Sequence, residues 1–212
     1  MSIKTLQFCE PFFTIKAVQD EQEYKIGDKS IVINLSEKED LMIKDKPLYF
    51  KKSTIVTNIT IQNLQQVLVV EAYEKYGNPA TLFEKVKKVW PIYYEMTKNP
   101  RHLGLLVWRS SKERVFGHID VNLCAIAAKT PTGPHKDHPV KFREVHTQLM
   151  GYGKMKKFQE NDCSTIYQEL PLAPGVTHES MYDENIDYPW HDYESITDGI
   201  YMPIEILPEI QG

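Results

Sequence analysis

Apolar and polar residues alternate along much of this chain. Ile55, Thr57, Ile59 and Ile61 fall on every second position with mostly polar residues between them, the period of a half-buried strand. Residues 30–35 form a short apolar strand, 37–46 are charged and turn-like, and 67–73 are a strand or the start of a helix. The first 70 or so residues therefore read as short strands and turns.

The period changes to that of a helix over 77–99. Asn78 is placed to cap it, Pro79 suits its first turn, and Thr81 with Glu84 has capping-box spacing. Leu82, Val86, Val89, Trp90 and Tyr93 make one apolar stripe, which predicts packing over one side of a sheet. Pro91 should kink this helix or restart it. From residue 103 the pattern returns to strands, at 103–108, 116–128, 144–150, 154–159, 165–170 and 199–207. Residues 129–139 form a Pro-rich loop, and the turn at 160–164 predicts a hairpin. The pattern predicts a mostly β, antiparallel sandwich or jelly-roll barrel in residues 101–212. Residues 1–100 are then an N-terminal strand and helix extension, part of that barrel or packed on it.

Composition narrows the classes. The 212 residues carry a formal charge of −4, against the basic excess of a nucleic-acid surface. No apolar run reaches the length of a membrane span, and the first residues lack the apolar core of a signal peptide. Cys9, Cys124 and Cys163 are odd in number and far apart, as expected of free thiols in a reducing cytoplasm. A chain of this size needs no metal merely to fold, so a metal site would be functional. The histidines are uneven: five of seven (His135, His138, His146, His178 and His191) lie within 135–191, where a uniform spread would place about two.

Two segments hold most of them. The first runs Gly133-Pro134-His135-Lys136-Asp137-His138, then Glu144 and Gly151; the second is Pro174-Gly175-Val176-Thr177-His178. Together they resemble the two motifs of the cupin superfamily, over roughly residues 103–207. Glu144 and Gly151 keep the six-residue gap of the first motif, and Gly175 and His178 keep the turn-to-histidine spacing of the second. Within them, Phe142-Arg143-Glu144-Val145-His146, with Leu149 and Gly151, is similar to the signature of the evolved β-galactosidase small-subunit family. The first motif departs from the cupin pattern, because Asp137 stands two after His135 and five residues separate His138 from Glu144. The second ligand is therefore Asp137 or His138. In the second motif Tyr182 stands where an asparagine is usual.

The resemblance implies a cupin barrel holding one divalent metal ion (Fe, Mn, Ni or Zn), with ligands drawn from His135, His138, Glu144, His146 and His178. Imidazole and carboxylate suit these ions. On a strand Glu144, His146 and Gln148 share one face, while His178 enters after the Pro-Gly turn and His135 or His138 from the preceding loop. Glu144, His191 and Tyr193 are candidates to move a proton. Tyr188, Trp190 and Gln148 are candidate substrate contacts, the first two from an aromatic loop before the last strand. The expected function is a cytoplasmic, homodimeric metal enzyme acting on a sugar-like or hydroxy-acid substrate by isomerase, epimerase or lyase chemistry. Three alternatives stand beside it: an Fe(II) dioxygenase, a metal-free sugar-nucleotide epimerase using His118 with Asp120, and a non-catalytic sugar-binding or accessory subunit.

Overall fold

The computed structural model describes residues 1–208 apart from Pro139 and Gly77, the first residue of the predicted helical stretch; of Tyr76, Pro79 and Arg101 it describes the backbone alone. The N-terminal part contains β1 (Ser2–Thr5), β2 (Thr14–Ile26), β3 (Ser30–Asn34), a small hairpin of β4 (Leu41–Ile43) and β5 (Lys46–Leu48), β6 (Lys52–Val56) and β7 (Ile59–Glu71). All but the small hairpin form one antiparallel sheet in the order β1-β2-β7-β3-β6. Two strands here are 13 residues long, so the short-strand reading is corrected. The single alternating strand expected over 55–61 is two strands, reversed at Thr57 and Asn58. Asn58 takes a left-handed φ of 48°, which asparagine tolerates.

Helix α1 (Pro79–Val86) is capped by Asn78, whose side chain accepts from the Ala80 amide at 2.8 Å. Asn78 takes the cap, so Thr81 and Glu84 form no capping box. The chain restarts after Pro91 as the short α2 (Tyr93–Thr97).

The second half contains β8 (Val107–Arg109), β9 (Glu113–Val115), β10 (Ile119–Val121), β11 (Cys124–Ile126), β12 (Arg143–Met150), β13 (Gly153–Phe158), β14 (Ile166–Leu172), β15 (Trp190–Ser195) and β16 (Gly199–Ile206). The stretch expected as one strand over 116–128 is interrupted at Asn122 and Leu123. The 103–108 strand is confined to its end, in β8. The aromatic segment read as a loop at 188–193 is largely strand, because β15 pairs with β13. The hairpin at 160–164 is present as the β13–β14 pair.

Strand β16 is the centre of a six-stranded antiparallel sheet, hydrogen-bonded to β10, β11 and β12. Its two faces do different work. Ile200, Met202, Ile204 and Ile206 point into the main core, shared with α1 and with Ile15, Ile31 and Leu68 of the N-terminal sheet. Each such buried side chain contributes roughly 1.5–3 kcal/mol. The alternate residues Tyr201, Pro203 and Glu205 turn toward a cavity, whose opposite wall is the three-stranded sheet β14-β13-β15. The architecture is mostly β and antiparallel. No helix among the described residues is long and apolar enough to cross a membrane.

Candidate functional site

The cavity has a volume of about 750 Å³ and is lined from both sheets. The histidines reach it by pairing outside the named strands. Residues 129–135 run antiparallel beside β15: the Thr132 amide donates to Tyr193 O at 2.8 Å, and His135 and His191 exchange backbone hydrogen bonds of 2.9 and 2.8 Å. This register sets the His135 and His191 rings side by side, centroids 4.3 Å apart. His138 completes the group, 5.4 Å from each of them by ring centroid. One nitrogen from each of these three rings lies within 4.8 Å of the others.

The rings are also oriented. His191 Nδ1 donates to Pro189 O at 2.9 Å and His135 Nδ1 to Gly133 O at 3.2 Å, which fixes the tautomer because a carbonyl only accepts. Burial, aided by neighbouring His138 and His146, pushes the His191 pKa down to about 4, so the ring is neutral near pH 7. Neutral imidazoles are the ligand form for a divalent ion.

Glu144 and His146 project from β12 into the same cavity, with Glu144 Oε1 3.3 Å from His146 Nε2. Burial alone would raise the Glu144 pKa. The charge and hydrogen bond of His146, with the fields of His138 and His191, outweigh it and hold the carboxyl well below its ordinary range. His146 Nδ1 is buried with no hydrogen-bond partner among the described residues.

Other expected residues are placed differently. His178 is a structural histidine: its Nε2 accepts from the His146 amide at 2.8 Å and its Nδ1 donates to Glu179 O at 2.6 Å, so neither nitrogen remains for a metal. Gln148 is tied to Met150 O at 2.7 Å and to the Tyr193 hydroxyl at 2.9 Å, outside the cavity lining. The Tyr193 ring lines the cavity, but its hydroxyl donates to Gln148 and burial pushes its pKa up, so it is a wall and not a proton carrier. The Tyr188 hydroxyl donates to Phe142 O and accepts from the Glu144 amide, both at 2.8 Å, which makes it a brace for β12. Trp190 alternates away from His191 and lies under the Lys136 ammonium, 5.5 Å from the ring centroid. Asp137 lines the cavity but is outside the three-histidine group. The His118–Asp120 dyad does not form: Asp120 pairs with Arg114, and His118 Nδ1 is directed at Phe116 O at 2.9 Å.

Sequence reasoning missed Arg109, Cys124, Tyr201 and Glu205, which line the other side of the cavity. A polar residue alternating with Val107 was the available signal for Arg109, with no motif to support it.

No protein-family model and no curated protein sequence matches the chain. Solved structures to which it is similar include a cupin 2 conserved barrel domain protein from Leptotrichia buccalis, at 8% identity and a TM-score of 0.36, covering 94% of this chain and 85% of that one. An RmlC-like cupin protein from Desulfovibrio desulfuricans aligns at 12% identity and a TM-score of 0.34, over 48% of this chain and 81% of that one. A cupin-superfamily sugar phosphate isomerase from Silicibacter pomeroyi aligns at 16% and 0.34, over 47% and 60%. These neighbours are cupins, the superfamily that the two histidine motifs resemble. At such scores they carry nothing about activity, and they lend no support to the narrower β-galactosidase small-subunit likeness.

Proposed function

We propose that this chain is a metal-dependent enzyme of cupin type that acts on a small polar substrate by isomerase, epimerase or lyase chemistry. The observation that carries the reading is the convergence of one nitrogen each from His135, His138 and His191 within 4.8 Å. This donor set fits a divalent ion (Fe, Mn, Ni or Zn), and three protein ligands leave coordination positions open. Such an ion, when bound, polarises a carbonyl or hydroxyl oxygen.

The remaining chemistry belongs to the chain. Glu144 is kept ionised and would take the proton from a substrate carbon beside a carbonyl or carboxylate, returning it to the neighbouring carbon in an isomerisation. It is a weak base in that state, so it removes only a proton that has been acidified. His146 Nε2, 3.3 Å from Glu144 Oε1, orients the carboxylate and stabilises its charge. Tyr193, Tyr201 and Met155 wall the space. We take the unit as a homodimer, with residues 101–212 as the working domain and 1–100 as its support.

Deuterium exchange tests the assignment. In D₂O, metal-loaded protein given a panel of aldoses and hydroxy acids should place deuterium on the carbon beside the carbonyl or carboxylate, and chelator-treated protein should not. Glu144→Gln should slow the exchange by about 100-fold or more while keeping its metal. Exchange that survives both chelation and Glu144→Gln would refute the mechanism.

A further inference from the structure

One cation in the cavity is not accounted for by this chemistry. Arg109, on β8, lines the wall formed by the six-stranded sheet. Its neighbours fix the guanidinium without neutralising it. One Nη donates to Asn122 Oδ1 at 3.1 Å, and the plane lies over the Tyr93 ring, 5.2 Å from its centroid. The Nε is buried and has no hydrogen-bond partner among the described residues.

The other cations lining the cavity are already paired. Lys112 meets Glu205 at 2.5 Å, and Arg114 meets Asp120 with its Nε and one Nη. Glu205 is the carboxylate whose field Arg109 feels, and Lys112 holds it. Among the described residues no carboxylate lies within 4.0 Å of the Arg109 guanidinium. A half-buried cation with a buried, unpartnered Nε and no carboxylate in direct contact is costly to the fold. Its planar fork matches a carboxylate or phosphate, which a fixed guanidinium recognises with paired hydrogen bonds.

We propose that Arg109 anchors an oxyanion group of the substrate, carboxylate or phosphate, so that the cavity selects acidic sugars or hydroxy acids over neutral sugars. This rests on reading the cavity as a substrate site, and it adds the charge of the ligand. Arg109 is thereby a specificity-determining residue on the wall opposite His191 and Tyr193.

Titration calorimetry on the full chain with D-gluconate, D-glucose 6-phosphate and D-glucose tests it. At least one of the two anions should bind ten-fold or more tighter than glucose, and which one does so separates carboxylate from phosphate. Arg109→Gln should weaken the anion ten-fold or more and leave glucose unchanged, and Arg109→Lys should restore part of the preference. Equal binding of glucose and both anions by the unaltered protein would overturn the proposal without any variant. So would unchanged anion binding in Arg109→Gln, or no binding of any of the three. A merely structural Arg109 would lower the melting temperature of the variants and leave anion preference where it was. Metal content measured on the same samples separates the two readings: anion preference in a chain that binds no metal removes the metal chemistry and keeps Arg109. Metal without anion preference does the reverse.

Discussion

His178 shows how much of a residue's role is set by its backbone neighbours. It follows a Pro-Gly turn at the spacing of a ligand, yet the antiparallel contact between residues 176–178 and β12 aims its ring at main-chain groups. Accepting from the His146 amide requires Nε2 to stay unprotonated. Burial, reinforced by the charge of His146, lowers the His178 pKa from 6.5 to about 3. As pH falls below 6.5 the unfolded chain takes up a proton that the folded chain refuses, so stability is lost progressively between pH 6.5 and 3. The loss from this group is roughly 2 kcal/mol at pH 5. Urea unfolding at pH 7.5 and pH 5 should show it. His178→Gln, whose amide can make the same two hydrogen bonds without titrating, should lose less stability over that interval than the unaltered protein. An equal loss in both would remove His178 from the acid response.

At the scale of elements, the legible parts were those whose own sequence marks their ends. Strands β12, β13, β14 and β16 were expected within a residue or two, because turns with Gly, Pro or Asp bound them and their apolar residues alternate. Gly151 is such a mark: its φ is +70°, and a Cβ there would stand 2.3 Å from Asp198 O. Gly151→Ala should therefore destabilise the β12–β13 connection by about 2 kcal/mol or more, from left-handed strain and the backbone clash together. Chemical denaturation would measure it, and a neutral substitution would show that the turn relaxes. The elements that were misread depend on distant partners. Strand β2 carries many charged residues on its solvent side and lengthens by pairing with β7. Strand β15 looks like a Pro-aromatic loop until β13 and residues 129–135 take its two edges. The reversal between β6 and β7 has neither Gly nor Pro to announce it.

On the scale of the whole molecule, the sequence placed the histidines in one half of the chain but could not choose among them. The motif named His135, His138, Glu144 and His146 as candidate ligands; all four line the cavity, but only the first two belong to the three-histidine group. The inclusion of His191 as a member of the cluster, and the exclusion of His178, follow only from strand pairing across the cavity. Arg109 was illegible for the same reason: a strand of three residues carries no motif, and its meaning comes from the walls that close around it. The N-terminal sheet and α1 share one core with the outer face of the six-stranded sheet, which leaves the inner face to the cavity. Elemental analysis of the purified full chain after dialysis tests the central claim most directly. One divalent ion per chain is predicted for the unaltered protein and for His178→Gln, with loss of the ion in His138→Ala and His191→Ala; an unaltered protein without metal, or a His191→Ala variant that keeps it, would contradict the three-histidine centre.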